Sequence, residues 1–210
     1  MITLYTWLTP NGRKVSILLE ELGVPYSVHP VNLSKSEQFS PAFLMISPNN
    51  KIPALLDDTE DGSLSIFESG AILTYLAEKY GRFLPVSGAA RYKTLEWLYW
   101  QVGGLGPMLG QVGFFEKFSK IKSPVASARF IAEADRLLTV MDKRLAESSY
   151  LAGEEYSIAD ISAYPWVVTA TTFLGDVLGD RMSSKPALKR WMTTIGERPA
   201  VQRGMAVPAF

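Results

Sequence analysis

Thr9 and Asn11 stand where a short apolar stretch, Ile2–Trp7, gives way to the helical spacing of Val15, Leu18, Leu19 and Leu22. Thr9 reads as an N-cap and Pro10 as the first helical residue, both good starting types. A helix start leaves backbone N–H groups without intrahelical partners, at the positive end of the helix dipole. A hydroxyl and a carboxamide placed there can hold an anion of thiolate size. They can equally well do no more than cap the helix, and the seven residues Thr9–Val15 do not separate the two readings.

Two further places carry chemistry. Pro48-Asn49-Asn50-Lys51-Ile52-Pro53-Ala54 precedes a strand-like run, and Ile52-Pro53 is a candidate cis peptide. A cis bond there turns the Ile52 N–H and C=O outward, free to pair with an extended peptide. Glu68-Ser69 precedes another helical pattern, with Ser69 as its expected N-cap. A helix start with a Ser hydroxyl suits a carboxylate and Glu68 suits an ammonium, so one amino-acid head group satisfies both. The plain alternative is a cap beside a solvated carboxylate. Taken together, the three places fit a short peptide with an α-amino-acid end and a thiol, with Gln38 and Lys51 as spare donors for a second carboxylate.

The elements that must position these residues follow from pattern. Ile2–Trp7 reads as a strand, Asn11–Leu22 as a helix closed by Gly23-Val24-Pro25, and Tyr26–Val31 as a strand parallel to the first. A polar loop, 32–40, and a turn or two of helix at Pro41–Ile46 come next. Ile52–Leu56 and Leu64–Phe67 read as a hairpin joined by the charged run 57–63, and Ile72, Leu73, Leu76 and Tyr80 mark a helix ending at Gly81. This order predicts an α/β N-terminal thioredoxin-like domain over 1–81. A linker, 82–90, leads to an all-α C-terminal helical domain over 91–210. Helices are expected at 91–118, kinked or broken by Gly103-Gly104-Leu105-Gly106-Pro107, and at 125–147, 158–174 and 187–197. Ser157-Ile158-Ala159-Asp160 is a capping-box variant.

Composition narrows the chemistry. The 210 residues have zero net charge and ordinary hydrophobicity, which gives no electrostatic case for nucleic acid or a membrane surface. No apolar run reaches the roughly 18 residues of a spanning helix, and the N-terminus lacks a secretory pattern, so a cytoplasmic location is expected. There is no cysteine and only one histidine, His29, which reads as an ordinary strand residue. Thiolate and histidine metal sites are excluded, as is a protein thiol nucleophile. Any redox or nucleophilic atom must come from a bound small molecule.

The chain resembles the cytosolic glutathione transferases over its whole length, and among them the bacterial nu-class, itself similar to the fungal nitrogen-regulator proteins. Five motifs carry the resemblance: Thr9-Pro10-Asn11-Gly12, Ser47–Leu55, Phe67–Leu73, Trp100–Met108 and Tyr156–Asp160. It implies that Thr9 and Asn11 lie near the glutathione sulfur as catalytic residues. It also implies that the Ile52 backbone beside Pro53 meets the cysteinyl part, that Glu68 and Ser69 bind the γ-glutamyl end, that Gln38 and Lys51 contact the glycyl end, and that Arg129 reaches glutathione. Tyr5, on the strand face with Thr3 and Trp7, is expected to be a packing residue rather than the activating tyrosine of many animal relatives. Trp7, Tyr99, Trp100, Phe114, Phe115 and Trp166 are candidates for an apolar second-substrate pocket between the domains, with core packing as the plain alternative for each. The implied activity is stabilisation of a glutathione thiolate for disulfide reduction or attack on electrophiles. Its alternatives are reduction of organic hydroperoxides and a non-catalytic, regulatory glutathione-binding role. The resemblance further implies reduced or oxidised glutathione as co-substrate, no metal, and a homodimer.

Overall fold

A computed structural model describes residues 1–59 and 62–209. The chain forms two compact units, one of Met1–Leu84 together with the chain from Glu197 onward, the other of Pro85–Gly196. The expected helical domain ran to residue 210, whereas the segment from Glu197 packs with the first unit.

The first unit is built on a four-stranded sheet in the order β2-β1-β3-β4, from β1 (Ile2–Thr6), β2 (Tyr26–Pro30), β3 (Ala54–Thr59) and β4 (Gly62–Phe67). β1 pairs parallel with β2, and the helix α1 (Pro10–Leu22) makes the crossover between them. β3 runs antiparallel to both of its neighbours. Along β1 burial alternates strictly: Ile2, Leu4 and Thr6 point into the core, while Thr3 and Tyr5 face the other way. α1 presents Val15, Ile17, Leu18 and Leu19 to the interior, and α3 (Ser69–Tyr80) adds Ile72, Leu73 and Leu76. Gly23 and Gly81 close these helices in the left-handed conformation, at φ 68° and 64°.

The hairpin differs from the sequence expectation. Asp57, Asp58 and Thr59 belong to β3, and pairing runs on to Thr59 opposite Gly62. Glu60 and Asp61 of the expected turn lie outside the described residues. The polar character of 57–59 arises because Asp57 is a buried strand residue whose carboxylate takes hydrogen bonds from Lys79 and from the Tyr75 hydroxyl on α3. Two short 3-10 turns, Leu33–Lys35 and Glu37–Phe39, occupy the expected polar loop, and α2 is the single turn Pro41–Leu44.

In the second unit, α4 (Gly88–Trp100) and α5 (Gly106–Gly113) are joined by a π-helical turn, Gln101–Leu105, and a second π turn, Phe114–Phe118, follows. The Gly/Pro run therefore neither breaks nor ends the helix. The wider i→i+5 turn accommodates Pro107, which has no N–H to donate. α6 (Pro124–Glu147), α7 (Ile158–Thr171), α8 (Gly175–Ser183) and α9 (Pro186–Gly196) complete the unit. Asp160 ties it together: its buried carboxylate accepts from Ser157 N and Oγ, Leu151 N and Trp191 Nε1 at 2.9–3.1 Å.

The last helix, α10 (Pro199–Met205), lies against α1. Arg198 grips Glu21 through two hydrogen bonds of 2.6 and 2.8 Å, Arg203 pairs with Glu20, and Ser16 Oγ donates to the Gly204 carbonyl at 2.7 Å. A Cβ at Gly204 would lie 2.6 Å from the Ile17 backbone nitrogen. Gly204→Ala is expected to cost about 1–3 kcal/mol through overpacking. Thermal unfolding should record this as a Tm several degrees lower; an unchanged Tm would contradict the close seat of α10.

Candidate active site

Strand register brings the three sequence-predicted places to one end of the sheet. Tyr5, near the end of β1, pairs with Ala54 at the start of β3, and Ala54 pairs with Phe67 at the end of β4. Thr9 and Asn11 follow β1, Ile52-Pro53 precedes β3, and Glu68-Ser69 follows β4. With neighbouring strands about 4.8 Å apart, the places fall across roughly 10 Å, the reach of a short peptide.

At the first place Thr9 is the N-cap of α1 in an extended conformation, and its Oγ1 accepts from Gly12 N at 3.2 Å. The hydroxyl therefore performs the capping job considered for it. As an acceptor it caps the helix, and its own proton remains to be donated to an anion. Thr9 and Asn11 are partly exposed. Gly12 is required by close approach: a Cβ there would collide with the Thr6 hydroxyl and lie 2.6 Å from the Trp7 carbonyl oxygen.

At the second place the Ile52-Pro53 peptide bond is cis. Both residues are buried, and among the described residues no hydrogen bond involves the Ile52 N–H or C=O. The preceding loop is held by Ser47, whose hydroxyl donates to the Lys51 carbonyl at 2.9 Å, and by a left-handed Asn50 at φ 50°. Lys51 is exposed. Gln38 lies in the second 3-10 turn, and its Oε1 is shielded from solvent without a hydrogen-bond donor. Ile52 packs with Val31, Phe43 and Ala54, and Tyr5 and Trp7 pack against this cluster. Tyr5 also contacts the His29 ring at 4.7 Å, which accords with a packing role and with His29 as a strand residue.

At the third place the helix start is shifted by one residue from the expectation. Glu68 occupies the cap position at φ 69°, a left-handed conformation unusual for a non-glycine residue, and Ser69 is the first residue of α3. Ser69 does not cap its helix because its buried hydroxyl is engaged elsewhere: it accepts a hydrogen bond from Lys14 Nζ at 3.2 Å. Glu68 itself is exposed. Lys14 is 1% exposed. Burial draws its pKa down to about 7, against an opposing pull from the Glu68 carboxylate. Sequence reasoning passed over Lys14. The available signal was its position three and four residues before Ile17 and Leu18, on the apolar stripe of α1.

The remaining predicted residues belong to the helical unit. Arg129 is exposed on α6, where it adds to the electrostatic stabilisation of the Glu133 carboxylate. Tyr99 is largely exposed at the end of α4, and Trp100 meets Trp97 edge to face at 5.1 Å. Phe114 meets Phe115 edge to face, and Phe115 stacks on Phe130. Trp166 closes over Gly106, where a Cβ would lie 3.0 Å from its Nε1.

Known proteins bear directly on this arrangement. Residues 1–78 match the model of the glutathione S-transferase N-terminal domain, and 109–199 that of the C-terminal domain. The chain belongs to the glutathione S-transferase family. It is 49% identical over 208 residues to the disulfide-bond oxidoreductase YfcG of Escherichia coli, covering 98% of this chain and 94% of that protein. Among solved structures it is similar to a glutathione transferase family member from Pseudomonas fluorescens with two glutathione molecules bound, at 47% identity and TM-score 0.93, covering 97% of this chain and 92% of that one. It is equally similar, with TM-score 0.93 and 45% identity, to a Pseudomonas putida glutathione transferase with one glutathione disulfide per subunit, covering 99% of this chain and 91% of that one.

The close approach at Gly12 yields a direct test of the transferase fold at this site. Gly12→Ala is expected to push the first turn of α1 away from β1, lowering Tm by several degrees and speeding amide exchange at residues 11–13. Unchanged exchange at those amides would contradict the packing described.

Proposed function

We propose that this glutathione S-transferase is a glutathione-dependent transferase/oxidoreductase that stabilises a glutathione thiolate for disulfide reduction and for attack on electrophiles. The observation that carries the reading is the convergence of three complementary groups at one sheet end: the Thr9/Asn11 helix start, the unpaired Ile52 backbone and the Glu68/Ser69 helix start. Their order matches the sulfur, the central peptide and the amino-acid head of glutathione. The names of the relatives, an oxidoreductase of disulfide bonds and transferases holding glutathione or its disulfide, favour the same assignment.

Each residue then has a physical task. Thr9 donates its hydroxyl proton to the sulfur while its oxygen keeps the helix capped. Asn11 adds a donor at the same helix start, where a thiol of ordinary pKa about 8.5 is shifted toward its thiolate. The Ile52 N–H and C=O pair with the cysteinyl backbone in the manner of an added strand. Glu68 takes the ammonium and Ser69 the α-carboxylate of the γ-glutamyl group, and Gln38 and Lys51 meet the glycyl end. In disulfide reduction two glutathione thiols supply the two electrons: one disulfide becomes two thiols and the two sulfurs leave as oxidised glutathione. The chain has no cysteine, so both sulfurs of that product come from the co-substrate.

Nu-class membership, a cytoplasmic location and a homodimeric state are part of this proposal. Among the described residues no helix is long and apolar enough to cross a membrane. Sedimentation at micromolar concentration is expected to give twice the chain mass, and the mass of a single chain would overturn the dimer. For the thiolate role, the Thr9→Ala/Asn11→Ala double variant should lose about 100- to 1,000-fold in kcat with both an alkyl disulfide and an aryl electrophile as second substrate. Full turnover of both would remove these two residues from the reaction.

A further inference from the structure

A cavity of about 260 Å³ lies between the ends of β1 and β2 and the α2 turn. It is formed within the first unit, and it shares no residue with the three places assigned to glutathione. Strand register builds its floor. Tyr5 points to the sheet face opposite Leu4 and Thr6 and pairs with His29 across β1 and β2, so the two rings lie side by side at 4.7 Å. Phe43 reaches over from α2, with its ring 6.2 Å from that of Tyr5. Val31 and Ile46 complete an apolar wall.

Size and charge together choose the ligand. Protein interiors are densely packed, and an apolar cavity of about 150 Å³ is enough for a benzene ring. The larger space here takes one aromatic ring and a short chain. Glu37 brings a carboxylate to the exposed rim, and no lysine or arginine is among the lining residues. Its Oε2 accepts from the Asn32 N–H at 2.7 Å, which orients the group and leaves Oε1 for a ligand. The faces of the Tyr5 and Phe43 rings are also negative and attract cations. Among the described residues the Tyr5 hydroxyl and the His29 imidazole make no hydrogen bond, so both keep polar capacity inside the cavity. An anion finds no lysine or arginine to pair with. An arylalkyl ammonium answers every wall, with its ring on Tyr5, Phe43 and Val31 and its ammonium at Glu37.

We propose that this cavity is a second ligand site, for a small aromatic amine, separate from the glutathione cradle. Val31 and Phe43 form its wall and also pack on Ile52, the residue proposed to pair with the cysteinyl backbone. The amine therefore sits behind the cradle and does not compete for it.

The sequence supplies its own reporter. His29 is the sole histidine, so its imidazole protons give unique signals in the proton NMR spectrum of the untagged full chain. The chain is titrated at constant pH with phenethylamine, phenethyl alcohol and phenylpropionate. The amine should shift the His29 signals saturably, with a Kd on the order of 1 mM. It should bind about five- to tenfold more tightly than the alcohol, and the propionate should bind more weakly than either. Glu37→Gln should remove most of the preference for the amine over the alcohol. Ala42→Trp, at an exposed position on the cavity wall, fills the space with an indole and should abolish the shift. Where that variant fails to fold, nuclear Overhauser contacts from the amine's ring protons to Tyr5 and Phe43 in the wild type decide instead, their presence supporting the site and their absence refuting it. Saturating oxidised glutathione should leave the amine's Kd unchanged. A His29 signal that does not move, equal affinity for all three ligands, an undiminished shift in folded Ala42→Trp or displacement of the amine by glutathione each overturns the site.

Discussion

The first turn of α1 lies so close to the end of β1 that only glycine fits at position 12. Much else depends on this approach. It fixes the height and direction of the helix start, and hence of the Thr9 hydroxyl and the Asn11 carboxamide. It brings Lys14, less than one turn later, under the head of α3. It also sets the line along which α10 can lie on the other side of α1, where Gly204 meets Ile17 equally tightly. α1 is thus a spine whose start carries the candidate site residues and whose length packs against α3 and α10.

Buried charge is differently resolved at Asp57, Asp160 and Lys14. Asp57 is buried but held below the usual carboxylate range: burial works against its charge, and hydrogen bonds from Lys79 and Tyr75 outweigh that cost. Asp160 accepts hydrogen bonds from Ser157, Leu151 and Trp191, yet burial still raises its pKa. These two serve packing within their own units. Lys14 donates a hydrogen bond to the Ser69 hydroxyl oxygen, and burial draws its pKa down to about 7.

Much of this was legible in the residues. The strand–helix–strand start, the hairpin, α3 and the capping box at Ser157 and Asp160 all follow local rules of periodicity and capping, and the structure shows them. The parallel β1–β2 pair and the cis Ile52-Pro53 bond are present as read. The departures have non-local causes. Asp57 and Asp58 look like turn residues but form strand, because Lys79 and Tyr75 from a distant helix make Asp57 tolerable inside. The Gly/Pro run near 105 is absorbed by a π turn, and no local propensity distinguishes that from a break. Ser69 looks like a cap, and only the approach of Lys14 from α1 shows why it is not one. α10 escaped notice because its seat is defined by partners almost two hundred residues earlier.

The central claim is that one end of the first unit's sheet is a glutathione cradle. Calorimetric titration with reduced and with oxidised glutathione, side by side, tests it most directly. Saturable binding of both is predicted, with the stronger heat signal or tighter Kd for the oxidised form, or for two molecules of the reduced form, if disulfide chemistry is the working reaction. Binding of neither form would contradict the cradle and leave a transferase fold whose sheet end serves another ligand.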